Sequence, residues 1–115
     1  MVVTGDMKAN LQANEAAALT ELRTVLSRKV PSIELRLYGS KARGEGESDS
    51  DLDIMIEIPL YDPALIAEID DIVYNINLKH DVLVSTVIFG KDELDDGPMS
   101  ESPLYKVGHS EGIAL

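Results

Sequence analysis

The sequence predicts an α/β (α+β) fold, three or more strands in a sheet whose aliphatic face takes the helices. Three observations predict it. Two long segments, from about Met7 to Lys29 and from Pro63 to about Leu78, repeat aliphatic residues at helical spacing. Three short segments, Ser32 to Tyr38, Asp51 to Ile58 and Asp81 to Phe89, alternate with the period of a strand. Helices and strands interleave along the chain, the mark of a layered α/β or α+β sandwich. At 115 residues the chain is long enough for one domain, 1–115, and too short for two.

In the first helix Leu11, Ala18, Leu19, Leu22, Val25 and Leu26 share a face, and Pro31 ends the run. In the first strand Ile33, Leu35 and Leu37 alternate with Glu34, Arg36 and Tyr38. Gly39 to Ser50 holds three glycines within eight residues and reads as a loop, with room for one helical turn after Gly39. In the second strand Leu52, Ile54, Ile56 and Ile58 point one way and Asp51, Asp53, Met55 and Glu57 the other. Asp62-Pro63 is a helix start, with Asp as N-cap and Pro at the first helical position, followed by Leu65, Ile69, Ile72 and Ile76 on one face. The third strand sets Val82, Val84, Thr86 and Ile88 against Asp81, Leu83, Ser85 and Val87. Gly90 to Ser102 reads as an acidic connector, and Pro103 to about Glu111 as a last short helix weakened by Gly108. One sheet face is thus aliphatic and takes the helices. The other carries Arg36, Tyr38, Asp51, Asp53, Glu57, Asp81 and Ser85. A face this polar is solvated, covers a site, or meets a partner.

Composition narrows the function. A formal net charge of −11 repels nucleic acid, whose affinity for proteins comes largely from Lys and Arg on phosphates. Direct nucleic-acid binding is therefore not expected. A basic protein partner fits this charge, as does a small anionic ligand whose metal ions screen the carboxylates. The run Asp92 to Glu101 reads as solubilising surface. With no cysteine there is no disulfide, thiolate metal site or cysteine nucleophile. No apolar run is long enough to span a bilayer and no leader pattern opens the chain, so a cytoplasmic protein away from membranes is expected.

The chemistry centres on Asp51 and Asp53. At i and i+2 on a strand their carboxylates leave one face together, and they repel unless protons or cations intervene. Hard oxygen ligands in this arrangement suit Mg²⁺, which takes one or two carboxylates plus substrate phosphates. Two such ions sit ~3.5–4 Å apart in phosphoryl-transfer sites. Asp81, opening the next strand on the same face, is the candidate third carboxylate. Asp-x-Asp alone is a common strand entrance. Gly39-Ser40, ten residues before Asp51, singles this one out. Glycine directly after a strand lets backbone approach a phosphate, and the serine adds a hydroxyl and an N–H. A helical turn starting there would add its dipole. Lys41 and Arg43, two of only ten basic residues, fall in the same loop. The pattern matches neither the P-loop nor Gly-x-Gly-x-x-Gly. Asp49 reads as a turn residue outside the motif, and His80 and His109 as structural; His80 suits a helix C-terminus.

Gly39-Ser40, ten residues, then Asp51-Leu52-Asp53 resembles the signature of the DNA polymerase β-like nucleotidyltransferase superfamily. Tyr38-Gly39-Ser40-Lys41-Ala42-Arg43-Gly44, Ser48-Asp49-Ser50-Asp51-Leu52-Asp53 and the ending Glu111-Gly112-Ile113-Ala114-Leu115 are similar to its minimal nucleotidyltransferase (MNT) branch. The resemblance implies a mixed sheet with helices packed on one face, and a metal-dependent transfer of a nucleoside monophosphate, usually from ATP, to an acceptor hydroxyl. It implies that Gly39 and Ser40 hold the triphosphate, with Arg43 a further phosphate contact. It implies that Asp51 and Asp53 bind two Mg²⁺ ions, and that Asp81 helps bind metal and activates the acceptor. MNT proteins are commonly encoded beside a helical HEPN-domain ribonuclease, as antitoxin and toxin, and can adenylylate that partner. Two alternatives remain: an antitoxin that masks its partner by contact without catalysis, and an antibiotic-type small-molecule nucleotidyltransferase whose acceptor pocket is completed by a mate in a homodimer.

Overall fold

Gln12 and Glu15 close a capping box, the Gln12 backbone N–H donating to Glu15 Oε1 at 2.8 Å, and this fixes the start of α1 (Ala13–Lys29). The computed structural model describes residues 11–44, 51–96 and 101–115. The expected start near Met7 lies outside them, and Leu11 and Gln12 are already non-helical, so the box shortens the helix. β1 (Glu34–Tyr38) leads directly into α2 (Gly39–Arg43), the single helical turn for which the loop left room. β2 (Leu52–Ile58) precedes α3 (Pro63–His80). As the sequence indicated, Asp62 caps α3, accepting from the N–H groups of Ala64 and Leu65 at 3.0 and 3.3 Å.

β3 (Val84–Gly90) starts three residues later than expected. α4 (Lys91–Asp96) forms within the acidic connector, α5 (Pro103–Glu111) follows, and the two-residue β4 (Ile113–Ala114) ends the described chain. The sheet order is β3-β2-β1-β4, with β2 parallel to β3 and β1 antiparallel to both β2 and β4. The expected mixed sheet is therefore present.

The core lies between this sheet and the two long helices. Leu52, Ile54, Ile56 and Ile58 are fully buried with Leu19, Leu22, Leu26, Ile69 and Ile76, while Ile72, Val82 and Ile88 pack half-buried at its edge. Each buried aliphatic side chain contributes about 1.5–3 kcal/mol. A one-residue slip of β2 would exchange Ile54 for Asp53 in this core, so burial fixes which face the carboxylates use. The opposite face is less open than its polar residues suggest. Met55 and Phe89 are buried there with Leu94 of α4, and Tyr105 of α5 packs against them. Gly108, which weakens α5 in isolation, lets the helix settle on the sheet: a Cβ there would lie 2.6 Å from Met55 Sδ. α4 and α5 thus cover part of the second face, and what they leave open is the end carrying Asp51 and Asp53.

Candidate functional site

β-Register assembles the site. Asp53 is paired with Tyr38 on β1 and with Ser85 on β3, so the three side chains share one row across the sheet. One position earlier the Leu52 N–H donates to the Leu83 carbonyl at 2.8 Å and extends the ladder toward Asp51. Ser85 Oγ then donates to Asp51 Oδ2 at 3.0 Å. The two carboxylates stand close enough to feel each other. Burial first, and the charge of Asp51 second, push the Asp53 carboxyl above its ordinary range. Burial and then the Asp53 charge raise the Tyr38 phenol in the same way.

Gly39 closes the site from the side of β1. Its φ of +77° is left-handed, and a Cβ built on it would lie 2.5 Å from Asp53 Oδ2. Only glycine lets the turn pass this close to the carboxylate. Ser40 follows, half-exposed, and its hydroxyl has no hydrogen-bond partner among the described residues. Gly39, Ser40, Asp51 and Asp53 are therefore brought to one end of the sheet.

Asp81 is not brought to them. The alternation Asp81, Leu83, Ser85 reads as one strand, but α3 runs on to His80 and Asp81 caps it, exposed and in the left-handed conformation (φ 55°). Among the described residues no three acidic, histidine or cysteine groups gather as a metal set. On β3 the position facing Asp53 belongs to Ser85, which the sequence placed on the polar face without giving it a role.

The two loop cations are engaged as well. Lys41 is buried (1% exposed) and paired with Glu15 of α1 at 3.2 Å. Arg43 pairs with Glu111 of α5 at 2.8 Å. The phosphate role expected of Arg43 competes with that ion pair. His80 Nε2 lies 3.0 Å from Glu21 Oε1, and His109 stacks obliquely on Tyr105, so both histidines have structural partners. Asp49 lies outside the described residues.

The donor set fits a divalent cation. Two adjacent carboxylates, one with raised proton affinity, are relieved by a hard cation as they are by a proton. A separate cavity of about 310 Å³, lined by Arg23, Ser27, Ile33, Arg36 and Leu115 among others, contains none of these residues. The carboxylate pair marks the candidate site better than that volume does, because it brings two hard oxygen ligands together.

Compared with known proteins, residues 19–104 match the family model of the nucleotidyltransferase domain, a span that includes Gly39, Ser40, Asp51, Asp53 and Ser85. No curated protein matches the chain. No helix among the described residues is long and apolar enough to cross a membrane.

Proposed function

Because the chain belongs to the nucleotidyltransferase domain family, we propose that it transfers AMP from ATP to a hydroxyl of a protein or small-molecule acceptor. The acceptor oxygen bonds to the α-phosphorus and pyrophosphate leaves. The observation that carries this reading is the left-handed Gly39 set against the Asp53 carboxylate, which brings the backbone of the turn and the Ser40 hydroxyl beside a carboxylate pair. Asp51 and Asp53 would hold Mg²⁺, which when bound with the nucleotide offsets charge developing on the phosphates. Gly39 gives the phosphates room at the backbone, and Ser40 offers them its hydroxyl. Ser85 keeps Asp51 oriented. Arg43 stays with Glu111 and braces the turn. In the cell this activity would suit an MNT antitoxin that modifies a HEPN-domain partner.

One observation favours a second reading. With Ser85 in the row of Asp53 and Asp81 outside it, the described site has two carboxylates and none in the third place. Such a protein would neutralise its partner by contact alone. Label transfer from α-labelled ATP to the neighbouring gene product separates the two. Mg²⁺-dependent labelling that Asp53→Asn abolishes supports transfer. Neutralisation that needs neither ATP nor Mg²⁺, with no label moved, replaces it with the contact reading.

A further inference from the structure

Lys41 is a long cationic side chain with almost no solvent contact, on a turn of five residues. A turn that short does not hold itself. It is bounded by Gly39 and Gly44, both left-handed (φ 77° and 75°), so no side chain at either end restricts its backbone. Its inward residues, Lys41 and Ala42, tie it to α1 and the sheet, and on its outer side Arg43 is paired with Glu111 of α5. Ala42 offers only packing, which resists separation but not rotation. Lys41 reaches Glu15 Oε1 at 3.2 Å. That oxygen is itself fixed, because it accepts the Gln12 N–H that caps α1.

The residue beside it, Asn14, donates to the carbonyls of His80 and Asp81 at 3.0 and 3.2 Å, where the chain turns toward β3 and Ser85. One turn of α1 therefore braces both segments that enter the site. Packing alone does not account for a buried ion pair, since apolar side chains of similar volume fill such a place at no loss of stability.

We propose that the Lys41–Glu15 pair is a strut holding the Gly39–Arg43 turn at the height where Ser40 meets the nucleotide, so that Lys41 and Glu15 are positioning residues. This rests on the nucleotide-binding reading of the same site.

The test replaces the pair by apolar residues in the full chain, Glu15→Leu with Lys41→Met. Three quantities are read: melting temperature, amide hydrogen exchange at residues 39–43 without ligand, and the calorimetric affinity for ATP in Mg²⁺. A strut predicts melting lowered only by the loss of the Gln12–Glu15 cap, exchange at the turn faster by about tenfold or more, and nucleotide affinity weaker by a similar factor. If the wild type binds no ATP but the turn still loosens, the strut stands and the nucleotide reading falls. If the double variant melts like the wild type with unchanged exchange and affinity, the pair is mere packing and the proposal is overturned. Should the double variant not fold, Glu15→Gln is read in its place, and unchanged exchange at the turn in that protein overturns the proposal equally.

Discussion

Replacing Gly39 by alanine tests the close approach on which the site depends. The new Cβ meets Asp53 Oδ2 at 2.5 Å, with Cγ and Cβ of Asp53 at 3.4 and 3.5 Å. Two costs add. A left-handed alanine costs about 1–2 kcal/mol. Pushing the carboxylate off its rotamer costs about 0.5–1.5 kcal/mol more. Together they come to about 1.5–3.5 kcal/mol, or about 6–14 °C in melting temperature at about 4 °C per kcal/mol for a domain of this size. In an Asp53→Ala background Oδ2 and Cγ are gone and the remaining contact is ordinary, so Gly39→Ala should cost only the backbone share, about 1–2 kcal/mol. Calorimetric melting of the four proteins gives the coupling, and titration with ATP in Mg²⁺ should show Gly39→Ala binding at least about tenfold weaker. Equal losses in both backgrounds, or an alanine variant that binds nucleotide like the wild type, would refute the contact between Gly39 and Asp53 as the basis of the site.

Asp53 makes stability depend on pH. Its native carboxyl holds a proton more tightly than the unfolded one, so stability is greatest at low pH and falls as pH rises from the ordinary value of 3.8 through the raised native value. Asp53→Asn should remove that fall, melting above the wild type at neutral pH without metal while losing nucleotide transfer; a variant that keeps the wild-type pH slope contradicts the assignment. Asp81→Asn should leave the fold and Mg²⁺–ATP binding within about twofold of wild type, because asparagine also tolerates the left-handed cap; a tenfold loss by calorimetry would return Asp81 to the site. Gly108→Val should destabilise by about 1–3 kcal/mol through overpacking on Met55, read in urea unfolding, and an unchanged midpoint would mean that α5 does not bear on the sheet as described.

The parts of the site that could be read from the sequence are those fixed by local geometry. Asp51 and Asp53 lie two residues apart on a strand whose other face is wholly aliphatic, so alternation alone sets their side. Gly39-Ser40 follows a strand directly, and the turn it begins is there. The same local reading misplaces Asp81, because its alternation with Leu83 and Ser85 looks the same whether the strand opens at Asp81 or at Val84. The discriminating signal was Lys79-His80, basic residue types common in a helix's last turn, ahead of a residue type that tolerates the left-handed cap. The ion-pair partners of Lys41 and Arg43 were hidden from the sequence for a different reason. They lie far along the chain, Glu15 on α1 and Glu111 on α5, and nothing local announces them. β4 exists only through its pairing with Arg36 and Leu37, so two residues of sequence could not declare it.

The presence of serine rather than a carboxylate beside Asp53 on β3 bears on both readings of function. A third carboxylate on β3 would stand beside two that already repel, one of which is held toward its neutral form by burial. The serine hydroxyl instead donates to Asp51 and spreads its charge without adding more. The unliganded site is thereby easier to hold together, and a divalent cation bound there would be held more weakly than by three carboxylates, which offer one more ligand and one more charge. A site of this kind leans on the nucleotide's own phosphates to complete the cation's shell, so metal and nucleotide should bind together or scarcely at all. That linkage divides the readings: an enzyme needs the joint complex, whereas a protein acting by contact gains nothing from it.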